Sequence, residues 1–260
     1  MTRGFILQEI FRRVEPDQKT IGQYLQEKVF QPLGVNIQIG VDEEDQKKKS
    51  ISNVIGYSPE QVVCKAKEAG RLDVLNHLKK FNEYSKETEG RRLDSTPPFE
   101  GMTDAFDLMF WNSVEARRAE MPSAGALASA RGMAVTAGHL ASGGGDLLSQ
   151  ETWKKMHDKA TEGFTFGQKT FFTQGGVNYF KDGYDPSNPD HVSDDDDDDF
   201  PMYAQLVPAG VYGWGGFGGS VYLWDPVREV SLAYVPTYLA WYDREKRRGV
   251  KCLKALYKCL

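Results

Sequence analysis

Five glycines fall within the seven residues from Gly213 to Gly219, in the stretch VYGWGGFGGSVYLWD. Gly213, Gly215 and Gly218 satisfy G-x-G-x-x-G, a spacing that lets backbone N–H groups approach a pyrophosphate. That chemistry needs a strand before the glycines and a helix opening after them, so that the helix amino terminus faces the phosphates. Here the continuation VYLWDPVREVSLAYV is rich in β-branched and aromatic residues and is broken at Asp225-Pro226, so no helix is expected from Gly219. Tyr238 stands where the acidic ribose ligand would be, about 20 positions on. The dinucleotide reading fails. The alternative is a strand and turn whose glycines admit a second backbone or a ligand.

Other chemistries are thinly supplied. No Gly-x-Ser-x-Gly elbow occurs, which removes the α/β-hydrolase route. His77, His139, His157 and His191 show no zinc spacing, and His139, set between apolar residues on an expected helix, reads as a packed histidine rather than a base. The run Asp194 to Asp199 holds six adjacent carboxylates that repel one another, so an exposed, disordered insertion is expected; it lacks the spaced ligands and the glycine of a calcium loop. No metal and no cofactor is expected. Cys64, Cys252 and Cys259 form no disulfide framework, which favours a reducing compartment and a cytoplasmic location.

The net charge of −5 over 260 residues provides no general basic field for nucleic acid or an anionic membrane. DREKRRGVKCLKALYK near the carboxyl end reads as a solvated helix face. No apolar run has the roughly 18 residues of a membrane span, and MTRGFILQEIF is too short and too interrupted for a signal peptide.

The elements that would carry these residues follow from periodicity and capping. Residues 4–14 place Ile6, Leu7, Ile10, Phe11 and Val14 on one helical face. Thr20 with Gln23 makes a capping box before a helix with Ile21, Tyr24, Leu25 and Val29 inward, stopped at Pro32-Leu33-Gly34. NIQIG (36–40) reads as a strand, 42–50 as a solvated loop, and Ser58-Pro59-Glu60-Gln61 as a helix start running with breaks to about 84. A loop is expected over 85–101, a helix from about Leu127 to Leu140 closed by Gly143-Gly144-Gly145, and a helix capped by Ser149 to about Lys159. From Phe164 onward, FTFGQKTFF, VNYF, GVYGWGG, GSVYLWD and VSLAYV read as strands, the last three as an antiparallel meander. A final helix from about Asp243 to Leu260 buries Val250, Leu253, Leu256 and Tyr257.

GWGGFGGSVYLWDPVREVSLAYVP resembles the carboxyl-terminal sheet of the serine β-lactamase-related superfamily, which takes in class C β-lactamases, penicillin-binding proteins and family VIII-type esterases. Trp214-Gly215-Gly216 matches the Trp-x-Gly form of that family's third motif, where lactamases carry Lys-Thr-Gly. RGFILQEIFRRVEPDQKTIGQYLQEKVFQPLGV is similar to the helix pair after the second motif, RRAEMPSAGALASARGMAVTAGHLASGG to the Pro-Ser-x-Gly and Ala-Arg helix region, and AYVPTYLAWYDREKRRGVKCLKALY to the last strand and closing helix. The four segments occur in family order. The loops near 42–57 and 85–101 and the aspartate run stand outside the match.

The resemblance implies an α+β, β-lactamase/DD-peptidase-like fold spanning 1–260, incomplete at its amino-terminal side. It implies acyl transfer to a serine activated by lysine and tyrosine, acting on a small ester or amide. No serine here has lysine three residues later, and Tyr24, Tyr57 and Tyr84 stand in the wrong context for the tyrosine motif. Lys169-Thr170 is followed by Phe171 and comes too early for the third motif. What the resemblance leaves is one wall of a site: Trp214, Gly215 and Gly216 along the substrate, with the Phe217 N–H as an oxyanion donor. Trp214 is either an apolar surface toward substrate or a core anchor among tightly packed strands. Two expectations compete, an amino-terminally incomplete serine hydrolase that is inactive as this chain and a non-catalytic binding or assembly homologue. Both leave an unpaired sheet edge open to self-association.

Overall fold

The structure is a computed structural model describing residues 2–48, 51–57, 59–72, 75–76, 79, 108–165, 168–181, 207–216, 218–239 and 248–260. Ser58, the expected loop at 85–101, Tyr84, the aspartate run, His77, His191 and Phe217 lie outside the described residues. Chain proximity defines two compact units, one of Met1–Gly56, Pro97–Thr136 and Thr237–Leu239, the other of Tyr57–Thr96, Ala137–Pro236 and Ala240–Leu260.

The first unit opens with α1 (Thr2–Val14) and α2 (Ile21–Leu25). The capping box forms as the sequence predicts, with Gln23 N donating to Thr20 Oγ1 and Thr20 N to Gln23 Oε1. A π turn over Gln26–Phe30 continues α2 and buries Phe30 beside Val35 and Ile37. α1 meets the unit through Gln8, which donates to Glu120 at 2.8 Å and accepts from the Ile21 N–H at 3.2 Å, and through Phe11. Ile6, Leu7, Ile10 and Val14 are exposed.

Strand β1 (Ile37–Ile39) is the predicted NIQIG strand, and the described part of the 42–50 run, expected as a solvated loop, is helical over Glu43–Lys48. Glu43–Lys48 forms α3, because Asp42 Oδ1 caps the Asp45 N–H at 2.7 Å and a Glu43–Lys47 ion pair spans one turn. Further on come β2 (Ile55–Gly56), a 3₁₀ turn Leu108–Asn112 and α5 (Val114–Arg118), with α4 (Pro59–Glu68) in the second unit. Leu127 and Ala128, expected to begin a helix, instead belong to β3 (Ala126–Ala128), antiparallel to β1. Backbone pairing with β1 wins there over helical periodicity, and Ser129 then caps α6 (Ala130–Ala141) through the Gly132 N–H.

The second unit is built on one sheet. Positive φ at Gly143, Gly144 and Gly145 stops α6, and Ser149 caps α7 (Gln150–His157), which ends two residues before the expected Lys159. Strands β4 (Thr161–Thr165), β5 (Gln168–Phe172), β6 (Asn178–Phe180), β7 (Val211–Gly215), β8 (Val221–Asp225) and β9 (Val230–Tyr234) lie in chain order in a six-stranded sheet, every neighbour antiparallel. The expected three-strand meander is thus twice as wide. A two-residue β10 (Tyr238–Leu239) pairs in parallel with β2, in the first unit.

Alternation along the strands gives the sheet two apolar faces. Phe180, Val211, Val221 and Leu223 pack with Leu253 of α8 (Arg248–Lys258). On the other face Trp224 packs with Ala137 and Ala141 of α6, and Tyr212, Tyr222 and Met156 border them. α8 is further fixed by a buried carboxylate: Asp225 accepts from Arg228 Nη1 and Tyr257 Oη, both at 2.8 Å, and from the Val227 and Arg228 N–H groups. Burial pushes this carboxyl up, but the bonds from Arg228 and Tyr257 outweigh that and hold it below its ordinary range.

Gly213 makes the centre of the sheet possible. Its φ is +134°, and a Cβ there would strike the Tyr222 carbonyl oxygen and approach Leu223 Cα to 2.8 Å. Gly213→Ala is expected to cost about 2–4 kcal/mol in urea unfolding, from backbone strain and forced separation of β7 and β8. Gly163→Ala, where a Cβ meets open space, is the control and should change stability by no more than about 1 kcal/mol.

Candidate functional site

The glycine stretch folds as the end of β7 and the turn into β8. Trp214 stands opposite Tyr222 in the ladder and Gly215 opposite Val221. The turn is closed by the Gly216 N–H on Ser220 O at 2.8 Å and the Gly219 N–H on Gly216 O at 3.0 Å. No helix follows, as the sequence predicts. Because Gly216 spends its N–H within the turn, it is not free to bind an anion.

Trp214 is 42% exposed and its ring lies 5.9 Å from that of Phe172, tilted by 33°. Gly215 and Gly216 follow it without a side chain to obstruct approach. A Cβ on Gly216 would meet the Ser220 hydroxyl, so the turn fits its glycine closely. The arrangement offers an apolar aromatic surface beside bare backbone.

The other sequence candidates are dispersed. Lys169-Thr170-Phe171 lies within β5, away from the turn in register. Tyr24 packs edge-on against Phe11 at 5.3 Å, and Tyr57 lies beneath Lys65 Nζ at 4.8 Å. His139 is half-buried on α6.

One cluster escaped the sequence reading. His157, the last residue of α7, lies 4.2 Å from the Trp153 ring and 4.5 Å from Tyr212 by centroid. Its Nδ1 is 2.8 Å from the Trp153 carbonyl, and its Nε2 is 2.9 Å from Trp224 Nε1. An indole nitrogen only donates, so Nε2 is the acceptor and Nδ1 carries the proton. Both nitrogens are engaged in a neutral imidazole, which leaves this histidine no lone pair with which to act as a base. Burial lowers its pKa, partly offset by the bond to the Trp153 carbonyl. The only local hint is Trp153 four residues before His157; the Trp224 partner is 67 residues away.

A helix-flanked antiparallel sheet, closed by a terminal helix and carrying an aromatic-glycine triplet at a strand end, defines an α+β fold of the kind found in serine hydrolases related to β-lactamase. The comparisons agree. The Beta-lactamase family model matches residues 2–253, and the chain belongs to that family.

Three solved structures are similar in fold. A penicillin-binding protein homolog from Caulobacter crescentus is 23% identical with a TM-score of 0.61, over 100% of this chain and 57% of its own. EstA from Arthrobacter nitroguajacolicus Rue61a is 17% identical with a TM-score of 0.60, over 99% and 59%. A family VIII carboxylesterase is 19% identical with a TM-score of 0.58, over 98% and 56%. The chain therefore spans under three-fifths of the length of these structures. Comparison with curated protein sequences finds no match. Among the described residues, no helix is long and apolar enough to cross a membrane.

Protonating His157 would place a donor against the Trp224 N–H, so the folded chain resists it. Between the lowered folded pKa and the ordinary value of about 6.5 the unfolded chain binds more protons, and stability falls as pH drops through that window. His157→Gln should remove this share of the loss. Urea midpoints at pH 7.5 and 5.0 test it: the wild type should lose more stability than the variant between the two.

Proposed function

We propose that β7 and its turn form one wall of an acyl-substrate cleft of the esterase kind, and that these 260 residues do not turn substrate over by themselves. The observation that carries this is Trp214, a large aromatic side chain left 42% exposed immediately before two glycines in the third-motif position. A lysine there would attract a carboxylate; an indole attracts apolar or aromatic acyl groups instead. The substrate class is therefore a small ester or amide without a required carboxylate. The names of two similar structures, EstA and a family VIII carboxylesterase, fit that preference.

In this reading the chain supplies orientation and a backbone donor. The Phe217 N–H, next after the triplet, would face the carbonyl oxygen as it gains charge, while Trp214 holds the acyl group beside it. The step that is missing is activation of a nucleophile. A serine hydroxyl attacks only when a neighbouring base removes its proton, and no serine in the chain has a lysine three residues on. Loss of the nucleophile costs several orders of magnitude in rate whatever donors remain. The chain is in these terms a pseudoenzyme.

A second reading, a non-catalytic binding homologue, is favoured by one observation: the half-buried His157 has both nitrogens committed to structure. The exposed thiols of Cys64, Cys252 and Cys259 support a reducing, cytoplasmic setting for either reading.

A fluorophosphonate probe should label no serine, and hydrolysis of a chromogenic aryl ester and of nitrocefin should stay at background. A non-hydrolysable aryl ester analogue should still bind, with Trp214→Ala weakening it about tenfold, the loss of one aromatic contact. Covalent labelling of any serine would sink the inactive reading. Unchanged binding by the Trp214 variant would sink the wall.

A further inference from the structure

β5 and β7 are not neighbours in the sheet; β6 lies between them. Strands two places apart are separated by about 9.5 Å, yet the Phe172 and Trp214 rings lie 5.9 Å apart. The two side chains therefore lean together across β6, and they are held very differently.

Phe172 is fixed. Its backbone is paired on both sides, with Thr161 of β4 and Asn178 of β6. The next residue, Thr173, is buried and closes the β5–β6 turn. Its N–H donates to the Val177 carbonyl at 2.9 Å, and its Oγ1 accepts from the Val177 N–H at 3.1 Å. The same turn is tied to the end of α7: the Gln174 N–H donates to Asp158 O at 2.8 Å and the Gly175 N–H to Met156 O at 3.1 Å. Trp214 has less support. It pairs with Tyr222 of β8, but among the described residues the β6–β7 register runs only from Phe180–Val211 to Tyr179–Tyr212, two residues short of it. On that side the indole leans on the Phe172 ring.

We propose that Phe172 is the positioning residue of this wall, and that by holding the Trp214 indole in one plane it makes the wall select aromatic acyl groups over aliphatic ones of the same size. The proposal rests on the reading of β7 as a substrate wall. Rings 5.9 Å apart leave no room for a third between them, which would need about 7 Å. A ligand must lie on the indole face turned away from Phe172, so Phe172 acts on it through Trp214. Burial alone favours a benzoyl and a cyclohexanecarbonyl group about equally. Offset or edge-on ring geometry favours the aromatic one, and only a ring already ordered by packing offers it without losing rotamer freedom on binding.

The test titrates two ketones that cannot be hydrolysed, acetophenone and cyclohexyl methyl ketone, into the full chain and follows binding by NMR. The wild type should bind acetophenone about three- to tenfold more tightly. Phe172→Leu, which keeps apolar bulk without the ring, should remove most of that preference, and Phe172→Tyr should restore it. Both ketones meet the same protein sample, so a general loss of folded chain weakens both and leaves their ratio. With the five tryptophans labelled as 5-fluorotryptophan, the fluorine resonance missing from Trp214→Phe should shift in Phe172→Leu and return in Phe172→Tyr. Equal binding of the two ketones by the wild type overturns the proposal without any variant. A preference that survives Phe172→Leu, while Trp214→Ala still weakens acetophenone, overturns the role of Phe172 and leaves the wall standing. Acetophenone binding unchanged by Trp214→Ala removes the wall, and this inference with it.

Discussion

The closeness of two backbones at Gly213 is the constraint on which the sheet unit depends. With β8 lying where a Cβ would be, β7 can bring Val211 into the core under α8 and still present Trp214 three residues later. The same contact sets the register that puts Tyr212 opposite Trp224 and leads the chain into the Gly216–Ser220 turn. A side chain at this one position would separate the strands that carry both the apolar core and the aromatic-glycine triplet. The glycine spacing that imitates a phosphate loop is thus explained by strand packing.

β8 is held from both sides by polar groups that are fully used. Trp224 gives its indole proton to His157, and Asp225, the next residue, takes four hydrogen bonds that tie it to the following turn and to Tyr257 of α8. Successive residues on a strand face opposite ways, so these two neighbours anchor opposite faces of the sheet. Each anchor is favourable because every buried donor and acceptor finds a partner, and each would be costly if half of it were lost.

What was legible in the sequence was local. The Thr20–Gln23 box, the Ser149 cap, the Gly143-Gly144-Gly145 stop and the meander strands all have their determinants within a few residues. The strand, turn and strand around Trp214-Gly215-Gly216 were legible because aromatic and β-branched runs flank the glycines. What was not legible depended on distant partners. β3 was masked by a helical pattern that only pairing with β1 overrides, and β2 has meaning only beside β10. His157 read as one histidine among four until Trp224 was brought to it. On α1, Gln8 and Phe11 make contacts while Ile6, Leu7, Ile10 and Val14 stay exposed, an orientation tied to Glu120 far along the chain.

Five of the sheet's six strands follow their predecessors, and four of those five connections are short; the exception joins β6 to β7. Thirty residues, 181–210, separate Phe180 from Val211, against four, 226–229, between Asp225 and Val230. Closure entropy grows only with the logarithm of length, so even as plain chain the longer connection costs under about 2 kcal/mol more to close than the shorter. The strand after it is seated by its own contacts with β6 and β8 rather than by the route taken to reach it. At this joint the fold is nearly indifferent to length, and that is where the chain places its six consecutive aspartates.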